Sequence, residues 1–202
     1  MDYSSLIAGA LGGLLGSFIT ALVSIFILRK QFIREEKTLR ESRASELMET
    51  IESSVWIILN GHIYKYALDE KYNDEFYSLP SIEHGSARSD LHNIISKEKM
   101  NVESRIQDAD RKLIQQKALI ELFIGEEGLN VFNDLYDMVP QIKDALTEYI
   151  SNRNFQISLK IEEIKSIRPD VASNWSQYLC TISRFRDVLL RYTNSISFWK
   201  IL

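Results

Sequence analysis

Residues Leu6 to Leu28 form a run without a single charged side chain. A helix rises about 1.5 Å per residue, so a helix over this run would be roughly 34 Å long. The hydrocarbon core of a bilayer is about 30 Å thick, and a segment that crosses it must satisfy its backbone polar groups internally. The run is therefore interpreted as one transmembrane helix, with the lipid bilayer as its first partner.

Basic residues lie on one side of this run only. No Lys or Arg precedes it, and six follow it closely: Arg29, Lys30, Arg34, Lys37, Arg40 and Arg43. Basic residues near a span stay on the cytoplasmic side, which predicts a single-pass protein of the cell inner membrane with its N-terminus outside. A cleavable signal peptide would need the basic residues before the run. The lone Cys180 fits a domain kept in a reducing compartment.

Small residues form two stripes along the span, and together they cover a broad face. Ala8, Gly12, Gly16, Thr20 and Ser24 make the first stripe, and Gly9, Gly13, Ser17 and Ala21 make the second. Small residues let helix backbones approach closely in lipid, so the face predicts a homo-oligomer. One stripe suffices for a dimer, whereas two adjacent stripes also suit a ring with a pore along this face. Dimer and ring both remain open at this point.

Three segments follow from the pattern of charge and apolar residues. Residues 1–28 are the anchor, 29–46 are a basic juxtamembrane stalk helix without a core face, and 47–202 are a cytosolic helical bundle. Arg29, Lys30 and Arg34 are predicted to contact anionic lipid headgroups. The part beyond the stalk is net acidic, which argues against general nucleic-acid binding.

Apolar residues at helical spacing predict an all-α cytosolic bundle of four to five helices. The first runs from Leu47 to about Leu68 with a kink at Gly61, and a long loop is expected from Tyr72 to Ser89. The second helix covers Ser89 to Ile124, capped by Gly125. Its predicted buried stripe consists of Val102, Ile106, Ala109, Leu113, Ile120 and Phe123.

The remaining helices are predicted from proline positions and from a heptad pattern. A third helix spans Glu127 to Ser151 and should be kinked or split at Pro140. A short helix covers Gln156 to Ser166, although Phe155 to Ile161 also alternates like a strand. The last helix begins near Pro169, and its seam consists of Val171, Trp175, Tyr178, Ile182, Phe185, Leu189, Tyr192, Ile196 and Trp199.

No arrangement of residues indicates an enzyme, a metal site or a cofactor. His62, His84 and His92 have no partner at metal-ligand spacing. Helical HEPN ribonucleases carry an Arg, then four to six residues, then a His, whereas only three residues separate Arg88 from His92. An atypical nuclease therefore stays as a distant alternative, and no histidine is expected to be essential.

The layout resembles single-pass membrane accessory and effector proteins of prokaryotic antiviral defence. The resemblance lies in the small-residue span, the junction from Leu28 to Gln31 and the helical cytosolic part. The membrane accessory protein of type VI CRISPR systems is similar in architecture, with one helix and a HEPN-like bundle assembled into a ring with a pore. The resemblance implies an oligomeric effector that depolarises the membrane. The alternative is a membrane-tethered scaffold that recruits a cytosolic protein partner.

Overall fold

The computed structural model describes residues 3–78, 85–151 and 169–195, and these form four helices without a strand. Helix α1 spans Tyr3–Ser78, α2 spans Gly85–Phe123, α3 spans Glu126–Ser151 and α4 spans Pro169–Asn194. The chain divides into two compact units. One comprises Met1–Ala44 with Tyr192–Leu202, and the other comprises Ser45–Arg191. The all-α expectation is thus confirmed for the described residues.

The unit Ser45–Arg191 is an antiparallel four-helix bundle. Lys65 of α1 pairs with Glu103 of α2 at 2.5 Å, and Tyr136 of α3 donates to Asp110 of α2 at 3.0 Å. Arg186 of α4 pairs with Glu52 of α1 at 2.5 Å. Helices α3 and α4 are also antiparallel. Arg191 of α4 pairs with Glu127 near the start of α3, and the earlier Thr181 donates to the later Met138. Each helix therefore packs against two antiparallel neighbours.

All four helices contribute one apolar face to the core of this unit. The largest fully buried side chains are Phe132, Phe185, Ile51, Leu59, Leu113, Ile120, Leu135, Ile142, Leu146 and Val55. Helical spacing brings these residues to one side of each helix, and burying them removes apolar surface from water. The predicted stripe of α2 is confirmed at Val102, Ile106, Ala109, Leu113 and Ile120. Phe123, however, is 38% exposed, so its assignment to the core was wrong.

The turn between α2 and α3 confirms Gly125 as a helix cap. Gly125 has a φ of 89°, a left-handed conformation that disfavours residues with a Cβ, and its N–H donates to the carbonyl of Ile120 at 3.0 Å. The acidic residues Glu126 and Glu127 occupy the first turn of α3, where they complement the helix dipole. The chain reverses here within two residues, which fixes α2 and α3 as antiparallel neighbours.

Two predicted boundaries were wrong. Helix α1 continues past Leu68 to Ser78, through Asn73 and Asp74, and α2 begins at Gly85 rather than at Ser89. Helix α3 is continuous through Pro140, so the predicted split was wrong, and the kink stays a prediction. The predicted helix or strand between Phe155 and Ser166, together with Ile196 and Trp199, lies outside the described residues.

Gly61 serves packing between α1 and α2. A Cβ at this position would lie 2.6 Å from Cγ1 and 2.9 Å from Cδ1 of Ile106, which is itself buried. Helix α1 is continuous through Gly61. The close approach of α2 therefore explains why this position has a glycine. The explanation does not require the predicted kink.

We expect Gly61→Ala to destabilise the bundle although alanine is the better helix former. The gain in helix propensity is at most about 1 kcal/mol, whereas overpacking a filled core costs about 1–3 kcal/mol. Denaturant titration followed by circular dichroism should show a lower free energy of unfolding. The cost should shrink in an Ile106→Ala background, which removes both Cγ1 and Cδ1. An equal cost in both backgrounds would contradict the steric explanation.

Candidate functional site

The uncharged part of α1 presents its apolar side chains outward in the single chain. All described side chains from Gly16 to Leu28 are exposed, and the large apolar ones range from 49% exposed at Ile27 to 64% at Leu28. Among the described residues, one helix, Gly16–Glu75, is long and apolar enough to cross a membrane by length and composition. In proteins generally, exposed apolar surface of this extent is typical of sites that contact membranes or other protein chains.

The small-residue face is open. A Cβ at Gly13 or at Gly16 would meet no atom within 4 Å. Ser17, Thr20 and Ser24 are exposed on the same side. Ala8, Gly9 and Gly12 lie within α1, but their surroundings fall outside the described part of the chain. The described portion of the predicted face therefore leaves room for close approach by a second helix.

The hydroxyl groups on this face bond to the helix that carries them. Ser17 donates to the carbonyl of Gly13, Thr20 to that of Gly16 and Ser24 to that of Thr20, each at 2.8 Å. These bonds satisfy the hydroxyl donors without a partner helix or water, while the oxygen lone pairs can still accept. The face is thus compatible with lipid and with a packed helix, and it also offers acceptors to water.

The basic side chains after the span differ in exposure. Lys30 and Arg34 are exposed, whereas Arg29 is half-exposed. The side chains of Lys30 and Arg34 are therefore accessible, as the predicted contact with anionic headgroups requires.

Arg40 forms a clasp with the C-terminal end of α4. Its Nε and Nη2 donate to the carboxylate of Glu36 at 3.2 and 2.6 Å. Its Nη1 donates to the carbonyl of Tyr192 at 3.2 Å and to Oγ of Ser195 at 3.0 Å. The guanidinium also lies over the Tyr192 ring, 4.9 Å from its centroid. We call this the Arg40 clasp. It supplies hydrogen bonds and positive charge to the carbonyl end of a helix.

Exposed aromatic surface surrounds Trp56 in the bundle. Trp56 is 45% exposed and contacts the half-buried Trp175 edge to face, with ring centroids 6.2 Å apart. A groove of 460 Å³ lies on one side of Trp56, lined by both tryptophans, Leu179 and the Glu52–Arg186 ion pair. A smaller groove of 280 Å³ lies on the other side, next to Tyr64 and Arg105. Sequence reasoning missed this surface, because Trp175 was placed on the apolar seam of the last helix and Trp56 was not singled out.

The histidines that the structure describes are separated from one another. His92 lies near the start of α2, one turn after Arg88, where its ring meets Tyr72 edge to face at 5.7 Å. His62 lies on α1 and is half-exposed. His84 lies outside the described residues. No group of His, Cys, Asp or Glu in the described residues is arranged to hold a metal ion.

We expect the bundle to lose stability between pH 7.5 and 5.5 through His62. Burial and the charges of Lys143 and Lys65 lower the pKa of His62 below 6.5, and Glu103 opposes the shift. A folded-state pKa below the unfolded value makes protonation favour unfolding, so the stabilisation is complete above pH 6.5 and is lost as the pH falls. The pKa of Glu103 is lowered from 4.5 by its hydrogen bond with Lys65, and its own contribution is lost only at lower pH.

Urea titrations at pH 7.5 and 5.5 measure this change in unfolding free energy. The variant His62→Gln should flatten the difference between the two pH values. An unchanged pH dependence in that variant would contradict the assignment.

Comparisons with protein-family models, with curated proteins and with solved structures find no match to this chain.

Proposed function

We propose that this protein is an oligomeric single-pass membrane effector, anchored by α1 and assembled through its small-residue face. The exposed, uncharged segment from Gly16 to Leu28 is the observation that carries the proposal. Its transfer from water into lipid removes a continuous apolar surface from water. The open space beside Gly13 and Gly16 supports association of one copy with another.

The proposed topology places the N-terminus outside and the bundle in the cytosol of a cell with the span in its inner membrane. The support is the distribution of basic residues, which all follow the uncharged segment. Exposed Lys30 and Arg34 at the proposed cytosolic boundary suit anionic headgroups.

The proposed action is depolarisation of the membrane through a pore that the assembled spans form. In a ring, the two edges of the small-residue face would contact the neighbouring copies and its centre would point inward, where the hydroxyl oxygens of Ser17, Thr20 and Ser24 could accept hydrogen bonds from water. The basic residues that follow would influence which ions enter from the cytosol. A role in antiviral defence follows from the resemblance in layout, and the proposal assigns no catalytic step to the chain.

Membrane potential in cells that express the full chain tests this function. A voltage-sensitive dye should report depolarisation when the protein is induced, and Gly12→Leu/Gly16→Leu should abolish the signal at equal protein level. A stable potential in cells where oligomers are demonstrated by cross-linking would contradict pore formation.

The second candidate function is a membrane-tethered scaffold, which the groove beside Trp56 favours. Its apolar lining and its rim formed by Glu52 and Arg186 suit a protein partner. The variant Leu179→Arg places charge in this groove at a position that is 50% exposed and therefore tolerant. A scaffold would lose its cellular effect in Leu179→Arg and keep it in Gly12→Leu/Gly16→Leu. The effector would show the opposite pattern.

A further inference from the structure

The stalk portion of α1 has one face that is already used within the chain. The Arg40 clasp contacts Tyr192 and Ser195 on this face. Successive residues of a helix are about 100° apart, so Gln31 and Thr38 lie about 160–180° around the axis from Arg40. Both Gln31 and Thr38 are exposed. The side of the stalk away from the clasp is therefore open to a neighbour.

This open side continues the small-residue face of the span. Ser24, Gln31 and Thr38 follow one another at intervals of seven residues, which shifts each one by only about 20° around the helix. Helix α1 is continuous through all three. Two copies that pack closely at Ser24 would therefore bring Gln31 and Thr38 of their stalks side by side.

Opposite charges border this face on its two edges. Lys30 and Lys37 lie on one edge, whereas Glu35 and Ser42 lie on the other, and all four are exposed. Lys37 pairs with Glu41 of its own helix at 3.8 Å. Within the part of the chain that the structure describes, Lys30 and Glu35 form no ion pair. The charges at these two edges, Lys30 on one and Glu35 on the other, therefore complement those of a second copy.

We propose that Lys30 of one copy forms an ion pair with Glu35 of a second, parallel copy, which extends the association from the span into the stalk. The inference rests on the proposed self-association. Copies inserted with the same topology are parallel, and parallel helices in contact place an edge residue beside the residue five positions later on its neighbour. Lys30 and Glu35 have this separation and these charges. The equivalent partner of Lys37 is Ser42, which carries no charge.

Cysteine cross-linking in native membranes tests which side of the stalk faces the second copy. The exposed Cys180 is first replaced by serine. Gln31→Cys should form disulfide-linked dimers on mild oxidation. The matched control Phe32→Cys should form few, because Phe32 is exposed but lies about 100° farther around the helix.

Charge reversal in the Gln31→Cys background tests the ion pair itself. Lys30→Glu and Glu35→Lys should each reduce dimer yield roughly two- to fivefold, the range expected for an exposed ion pair. The double reversal should restore the yield. Lys37→Glu is the control with the same charge change on the same edge, and Glu35→Lys should not rescue it.

The outcomes distinguish failure of the stalk contact from failure of the proposed self-association. Oligomers of the parent chain with equal cross-linking at positions 31 and 32 would overturn the stalk contact alone. Single reversals without effect, or a double reversal that does not restore the yield, would overturn the Lys30–Glu35 pair. A parent chain that is monomeric by mass in detergent and in membranes would overturn self-association, and with it the proposed function.

Discussion

Gly12→Leu/Gly16→Leu will convert the detergent-purified protein from oligomer to a predominantly monomeric species. Leucine at these positions holds two helices apart and removes the close backbone contact on which association in lipid depends. A side chain at Gly16 meets no atom of its own chain within 4 Å, so the single chain should fold as before. Leucine is also the better helix former. The loss would therefore be intermolecular.

Light scattering coupled to size-exclusion chromatography measures this mass. Phe18→Leu is the matched control, because Phe18 is 63% exposed and lies on the side of the span opposite the glycines. Its mass should equal that of the parent. Equal masses for the parent and the double glycine variant would mean that another surface holds the copies together.

Phe185→Ala will cost about 3–5 kcal/mol of unfolding free energy. Phe185 is fully buried on α4 and packs against Phe132 of α3, with ring centroids 6.4 Å apart. Removing the ring leaves a cavity between tightly packed side chains, which the surrounding helices can close only in part. Trp175→Ala should cost less, because the Trp175 side chain is only half-buried.

Denaturant titration of the full chain in detergent, followed by helical circular dichroism, measures both losses. Leu190→Ala on the same helix is the control, since Leu190 is 58% exposed and should change the unfolding free energy by less than about 1 kcal/mol. A larger loss for Trp175→Ala than for Phe185→Ala would contradict the described core.

Helical periodicity predicted the core best where a helix buries a single apolar face. The stripe of α2 from Val102 to Ile120 and the α4 residues Tyr178, Ile182 and Phe185 are buried as the spacing indicates. The end of α1 was missed because Asn73 and Asp74 favour turns in isolation. In the bundle, contacts with α2 outweigh this preference: Lys99 pairs with Asp69, and Tyr72 meets His92.

The candidate site was visible in the sequence only in part. The small residues of the span and the basic residues after it can be read directly, because each acts through its own position on one helix. The Arg40 clasp and the groove beside Trp56 each depend on how two helices are rotated against one another. A single sequence contains no direct signal for that rotation, and the packing of Gly61 against Ile106 was missed for the same reason.

The Arg40 clasp can form only after residues 192 to 195 have been synthesised. The partners of Arg40 follow 152 and 155 positions later, so a ribosome adding about 5–20 residues per second needs about 8–30 s to deliver them. Glu36 lies only four positions away and can hold the guanidinium as soon as this turn of α1 forms. The uncharged segment is therefore synthesised before the clasp can close, and Glu36 can hold the guanidinium in the interval.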